Sequence, residues 1–105
     1  MPILDDIRGA VADGAYRVTG HAADQMVGSD IDEIWVLEAT MVGEVIDDFP
    51  SAFPAPSCLV LGETPLGQRL HALWTYDEIA HHAILLTVYW PRRHATPRPA
   101  PERAP

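Results

Sequence analysis

The chain has 105 residues, a formal net charge of −8 and 48% hydrophobic residues. This length and composition suit one globular domain with a single core and exclude a second. No apolar stretch approaches the ~20 residues of a membrane span, and the first residues lack a signal-peptide pattern, so we expect a cytoplasmic protein with no membrane partner. Cys58 is the single cysteine, which excludes an intrachain disulfide and a thiolate-rich zinc site.

The charge is distributed unevenly along the chain. Residues 1–90 contain three arginines and fourteen acidic residues, whereas residues 91–105 contain four arginines and one acidic residue, and lysine is absent. A phosphate backbone would therefore meet few cations, and the field of the acidic part opposes the approach of RNA. Such acidity usually serves solubility, and it also fits a basic protein partner.

Two helices are predicted near the N-terminus. The first is expected over residues 3–13, because apolar residues recur there at helical spacing and Gly14 is suited to stop the helix. The second is expected over residues 21–27, with Thr19 as its cap, and it places His21 in the first helical turn.

A third helix is predicted after Gly28, which is expected to end the second. A capping-box pattern begins either at Ser29 or at Asp30, and both starts remain open. Four apolar residues of this segment are expected to face the core: Ile31, Ile34, Trp35 and Met41.

From Gly43 onward the sequence pattern is typical of strands. Four are predicted, over residues 44–49, 58–61, 68–76 and 82–90, and their short connections favour an antiparallel meander, while residues 16–19 form a short extended link. The five prolines and four arginines of residues 91–105 predict a disordered or extended tail, so the domain is expected to span residues 1–90. The predicted fold class is α+β, with two or three N-terminal helices on a small antiparallel sheet.

Strand alternation predicts which side chains share a face. In the strand over 68–76, one face is expected to carry Arg69, His71, Leu73 and Thr75, and the core face Leu70, Ala72, Trp74 and Tyr76. In the strand over 82–90, the core face is expected to carry Ile84, Leu86, Val88 and Trp90, and the face of His71 to carry Leu85, Thr87 and Tyr89.

Two histidines are the candidate acid/base residues. Histidine exchanges protons near neutral pH, so His21 and His71 would form an acid/base pair if folding brings them together. Arg69 would hold an anion on the same face as His71, and Tyr89 would donate a hydrogen bond. The alternative is that His71 only makes a structural hydrogen bond within a half-buried sheet face.

The other polar residues that we considered are not expected to form a catalytic or metal site. Cys58 lies in an apolar strand and is expected to be a buried, inert thiol. His81 and His82 fall in a hairpin turn, where adjacent side chains point apart, so we expect neither a metal site nor a cofactor.

Six segments carry a family resemblance. They are YRVTGHAADQM over 16–26, IDEI over 31–34, GEVIDDFP over 43–50, PSCLVLG over 56–62, RLH over 69–71 and TVYWP over 87–91. In order and spacing they resemble an uncharacterised bacterial family of small domains that is compared with the RelE-like and BrnT-like ribonuclease toxins. The resemblance implies helices packed on a small antiparallel sheet, as in the RelE-like fold.

A toxin of this type would cleave RNA without a metal, by attack of the ribose 2′-hydroxyl on the adjacent phosphorus. The resemblance then implies His21 and His71 as acid and base in either order, Arg69 or Arg17 opposite the phosphorane charge, and Tyr89 as a donor. The chain departs from the family at residues 27–30, where a basic residue usually follows. Two other functions remain open: a non-catalytic protein-interaction module, and an acidic inhibitor or antitoxin-like protein that covers a basic surface. The expected protein partner is accordingly an antitoxin or a basic protein.

Overall fold

Three helices and five strands make up the part of the chain that the computed structural model describes, residues 3–52 and 55–91. In chain order they are α1 (Ile3–Ala12), β1 (Tyr16–Val18), α2 (Gly20–Ser29), α3 (Glu33–Val42), β2 (Glu44–Phe49), β3 (Ser57–Glu63), β4 (Arg69–Asp77) and β5 (His82–Tyr89). The α+β class is confirmed. The predicted tail, beyond Pro91, lies outside the described residues.

The cap of α2 is confirmed, and its predicted end is wrong. The Thr19 side chain accepts a hydrogen bond from the Ala22 N–H, as an N-cap does. The helix continues through Gly28 and ends at Asp30, whose backbone is left-handed at φ 57° and whose N–H reaches the last carbonyls of the helix. Aspartate is one of the few residues that tolerate this conformation, so Asp30 closes the helix in place of glycine.

The start and the buried face of α3 differ from the prediction. Its N-cap is Asp32, whose carboxylate accepts from the Ile34 N–H at 3.0 Å, so neither predicted capping box forms. The buried stripe of the helix is Val36, Ala39 and Thr40, at the i, i+3, i+4 spacing of one helical face. Ile34 is 60% exposed, and Met41 is 39% exposed, because both lie off that stripe.

The sheet has five strands in the order β1-β5-β4-β3-β2. The strands β2 to β5 form the predicted antiparallel meander. The predicted extended link is a strand, β1, which pairs in parallel with β5 and makes the sheet mixed. The strand β1 is three residues long. Its pairing with a distant segment is decided by tertiary contact rather than by its own sequence pattern.

The helices α1 and α3 pack on one face of the sheet, and α2 packs against the strand β5. That face is built by buried residues of the three longest strands: Cys58, Val60, Leu70, Ala72, Trp74, Ala83, Leu85 and Val88. Trp74 is fully buried and donates its indole N–H to Thr40 Oγ1 of α3 at 2.9 Å. No helix within the described ranges is long and apolar enough to span a membrane.

A bulge in β5 changes which of its side chains face the core. The register with β4 pairs Leu73 with Thr87 and Trp74 with Leu85, so Leu86 is an extra residue. Strict alternation along β5 predicts Ile84 and Leu86 on the core face and Leu85 on the other face. The prediction is wrong for all three side chains. Thr87 and Tyr89 do lie on the face of His71, as predicted, since the bulge restores the alternation beyond Leu86.

Candidate active site

No helix formed by residues 3–52 or 55–91 covers the second face of the sheet, and we call it the open face. Four of its apolar side chains are neither buried nor fully exposed: Leu59, Leu61, Leu73 and Ile84. Near one end, the Thr75 hydroxyl donates to the carbonyl of Pro56, which belongs to the connector between β2 and β3. A concave pocket of about 590 Å³ opens there, lined by Thr75, Ile79, Ile84 and Leu86 among others.

His71 and Tyr89 meet at the other end of the open face. They are direct cross-strand partners in the β4–β5 register, and His71 Nδ1 lies 3.3 Å from Tyr89 Oη. The two rings are 5.3 Å apart between centroids, at an angle of 69°, which is an edge-to-face arrangement. The sequence prediction that β4 and β5 bring these residues to one face is therefore confirmed as geometry.

The surroundings of His71 favour its neutral form. Partial burial among the sheet side chains lowers the pKa of His71 from its usual 6.5, because desolvation penalises the imidazolium. A neutral imidazole has one nitrogen that donates and one that accepts. With Nδ1 bonded to Tyr89, the remaining ring nitrogen, Nε2, is the one left to exchange a proton with a bound molecule.

Arg69 lies two residues from His71 on the same side of β4, and it is exposed. Its cross-strand partner is Glu63 on β3. Arg69 also lines a shallow groove of about 360 Å³ together with two acidic residues, Glu44 and Glu63. The guanidinium is thus available to an anion, but the two carboxylates of the groove compete for it.

His21 lies on a different element from His71. It is exposed in the first turn of α2, and within residues 3–52 and 55–91 no hydrogen bond joins the two imidazoles. Its helix α2 packs against β5, the strand that carries Tyr89, whereas His71 belongs to β4. The structure therefore pairs His71 with Tyr89 directly and places His21 one element away.

Gln25 is a positioning residue that the sequence did not single out as part of a site. Its Oε1 accepts from the backbone N–H of Val88 at 3.0 Å, beyond the point where β1 ends and where, among the described residues, no strand pairs with that side of β5. The signal available in the sequence was its spacing, one helical turn after His21. Through this bond, α2 holds the part of β5 that carries Tyr89.

Cys58 is the buried thiol that the sequence predicts, and two other candidates, His81 and Arg17, are exposed. Cys58 is 1% exposed, and burial raises its pKa to about 11, so it is an inert thiol. His81 is exposed in the turn between β4 and β5, with a left-handed backbone at φ 58° and its Nδ1 3.4 Å from Tyr76 Oη. Arg17 is exposed on β1.

Fold and site together define a small α+β domain with one helix-covered sheet face and one open face that carries a His–Tyr pair. The family model of a domain of unknown function, DUF4258, matches residues 18–90, so the chain belongs to that family. The matched region contains the four candidate residues His21, Arg69, His71 and Tyr89. The chain matches no curated protein and no solved structure.

Proposed function

We propose that this domain is a metal-independent ribonuclease of the toxin type, with the His71–Tyr89 pair as the centre of its active site. The observation that carries the proposal is the 3.3 Å contact between His71 Nδ1 and Tyr89 Oη on the open face of the sheet. A half-buried histidine with a lowered pKa is neutral at pH 7 and ready to accept a proton.

The proposed reaction is an internal transfer within RNA. The ribose 2′-oxygen attacks the adjacent phosphorus, the P–O2′ bond forms and the P–O5′ bond breaks, which leaves a 2′,3′-cyclic phosphate and a 5′-hydroxyl. His71 Nε2 takes the 2′-hydroxyl proton as general base, and this role requires the tautomer in which Nδ1–H donates to Tyr89 Oη. Tyr89 thus orients the base by accepting from Nδ1–H.

Two other residues complete the proposed site. His21, on the same helix as the Gln25 that binds the outer edge of β5 at Val88, reaches past that edge to supply the proton to the leaving 5′-oxygen. Arg69 stabilises the charge of the phosphorane, and its competition with Glu44 and Glu63 predicts weak RNA binding at physiological salt. No step needs a metal, so cleavage is expected to persist in EDTA.

The test is cleavage of a labelled single-stranded RNA by the full chain and its variants. His71→Ala is expected to lower kcat/KM by about 10²–10⁴-fold, the usual contribution of a general base, and Tyr89→Phe by less. The rate is expected to rise with pH through a pKa below 6.5 as His71 becomes the free base. Analysis of the product ends should find the cyclic phosphate.

The matched control is the second histidine that lies beside a tyrosine. His81 contacts Tyr76 at 3.4 Å, but in an exposed turn, and asparagine tolerates its left-handed backbone. His81→Asn should therefore keep full activity. Equal activity of His71→Ala and the wild type, or a well-folded wild type with no cleavage of any RNA offered, would overturn the proposal.

A second function is favoured by the half-buried leucines of the open face. Leu59, Leu61 and Leu73 form an apolar surface around His71, which suits contact with a protein partner rather than with a phosphate chain. If the domain is a non-catalytic interaction module, no RNA cleavage is expected, and Leu73→Glu should impair partner binding more than His71→Gln does. This comparison separates the two functions.

A further inference from the structure

The edge strand β2 has an unpaired side. It is the last strand of the order β1-β5-β4-β3-β2, and all six of its residues are exposed. Within the described residues, 3–52 and 55–91, no strand pairs with its outer side. Such an edge presents backbone N–H and C=O groups that a further extended segment can bind.

The side chains of β2 include an apolar set that is unusual for a free edge. Val45 is 37% exposed, Ile46 is 43% exposed and Phe49 is 39% exposed. Protein edge strands are normally protected by charge and by bulges, and β2 has a register shift between Val45 and Asp47. The apolar side chains offer contact area to an added segment.

The charges of β2 decide which segment fits. Glu44, Asp47 and Asp48 are its acidic residues, and the strand contains no basic residue. A second copy paired along the same edge would bring like charges together, which is destabilising. A segment with arginine or lysine would instead be attracted and steered by the same carboxylates.

We propose that the outer edge of β2 binds an extended basic segment of a partner protein by strand addition. Backbone hydrogen bonds give the pairing, the carboxylates select basic side chains, and aliphatic residues between them pack on Val45, Ile46 and Phe49. The site lies on the far side of β3 from His71 and Tyr89, and it shares only Glu44 with the groove that Arg69 lines. The Asp48 N–H already bonds to Asp47 Oδ1 at 3.1 Å, so the added segment pairs with the other groups of the edge.

The test uses the isotope-labelled full chain and a capped synthetic hexapeptide in which arginine and valine alternate. Amide shift changes and slowed hydrogen exchange are expected along β2 and its neighbour β3. Three changes should each weaken binding by about tenfold or more: glutamate in place of arginine in the peptide, N-methylation of alternate peptide amides, and the double variant Asp47→Asn/Asp48→Asn. Glu78→Gln, an exposed acid in the β4–β5 turn, is the matched control and should not weaken binding.

The outcomes that overturn the proposal are distinct. Equal binding of the N-methylated peptide would mean attraction by charge alone, and shift changes centred on the helices would place the contact elsewhere. Protection of β2 amides without peptide would assign the edge to a second copy if it grows with concentration. If this protection is instead lost when alanine replaces Arg92, Arg93, Arg98 and Arg103, the edge binds the chain's own C-terminal segment. None of these results depends on RNA cleavage.

Discussion

Gln25 Oε1 lies 3.0 Å from the backbone nitrogen of Val88, so a helix side chain takes over where the short strand β1 stops pairing with β5. Thr19 contributes to the same junction, because its backbone N–H bonds to the Leu85 carbonyl and its hydroxyl bonds to the Leu86 carbonyl. The bulge at Leu86 and the position of Tyr89 are thereby tied to the start of α2.

Removing this side-chain acceptor should loosen the end of β5. Gln25→Ala leaves the part-buried Val88 N–H without its partner, so we expect the free energy of unfolding to fall by about 1 kcal/mol. Faster amide exchange at Val88 should accompany the loss. Denaturant unfolding measures the first effect and NMR the second. Gln25→Glu keeps an acceptor oxygen and should lose less, while unchanged exchange at Val88 in the alanine variant would contradict this role.

The buried bond between Trp74 and Thr40 gives a second prediction. Thr40 Oγ1 accepts from the Trp74 indole and donates to the Val36 carbonyl at 2.8 Å, and both Trp74 and Thr40 are fully buried. Thr40→Val keeps the shape but orphans the indole N–H, which should cost about 1–3 kcal/mol in urea unfolding. Thr40→Ser retains the hydroxyl and serves as the control. Equal stability of the valine variant and the wild type would show that the bond contributes nothing net.

Gly62 permits the close approach of β3 and α3. A Cβ on Gly62 would lie 2.2 Å from the Ala39 carbonyl oxygen, which is backbone and cannot move aside cheaply. Gly62→Ala should therefore destabilise the protein by about 1–3 kcal/mol, the usual range for overpacking, as measured by thermal or urea unfolding.

The matched control for this substitution is Gly9, in the middle of α1. A Cβ there would meet nothing within 4 Å. Gly9→Ala should stabilise the protein by about 0.5–1 kcal/mol, because alanine is the better helix former. A Gly62→Ala protein as stable as the wild type would mean that α3 shifts without cost.

His71 predicts a pH dependence of stability. Its pKa is lowered in the folded state by desolvation, so the folded protein disfavours the imidazolium. The stabilising contribution is present above the unfolded pKa of 6.5 and is lost as pH falls through the lower folded pKa. We expect unfolding free energy to decline on acidification below pH 6.5, and this part of the decline to be absent in His71→Gln. Titration of the His71 ring protons by NMR measures the folded pKa directly, and a midpoint at or above 6.5 would contradict the prediction.

The sequence predicted the parts of this protein that local pattern controls. The cap of α2 at Thr19, the meander of β2 to β5 and the burial of Trp74 and Cys58 follow from short-range signals: a side-chain oxygen before a helix, period-two alternation and apolar strand residues. Because His71 and Tyr89 each sit at a definite phase of that alternation, their shared face was predictable as well.

The features that the sequence did not predict involve residues whose neighbours are distant in the chain. The pairing of β1 with β5, the bulge at Leu86 and the stripe of α3 that faces the sheet all depend on which surfaces meet, and no local pattern encodes that choice. The same holds for His21, which the sequence marked as a partner of His71. In the fold, the helix of His21 packs against β5. His71 bonds instead to Tyr89, because Tyr89 lies on the adjacent strand.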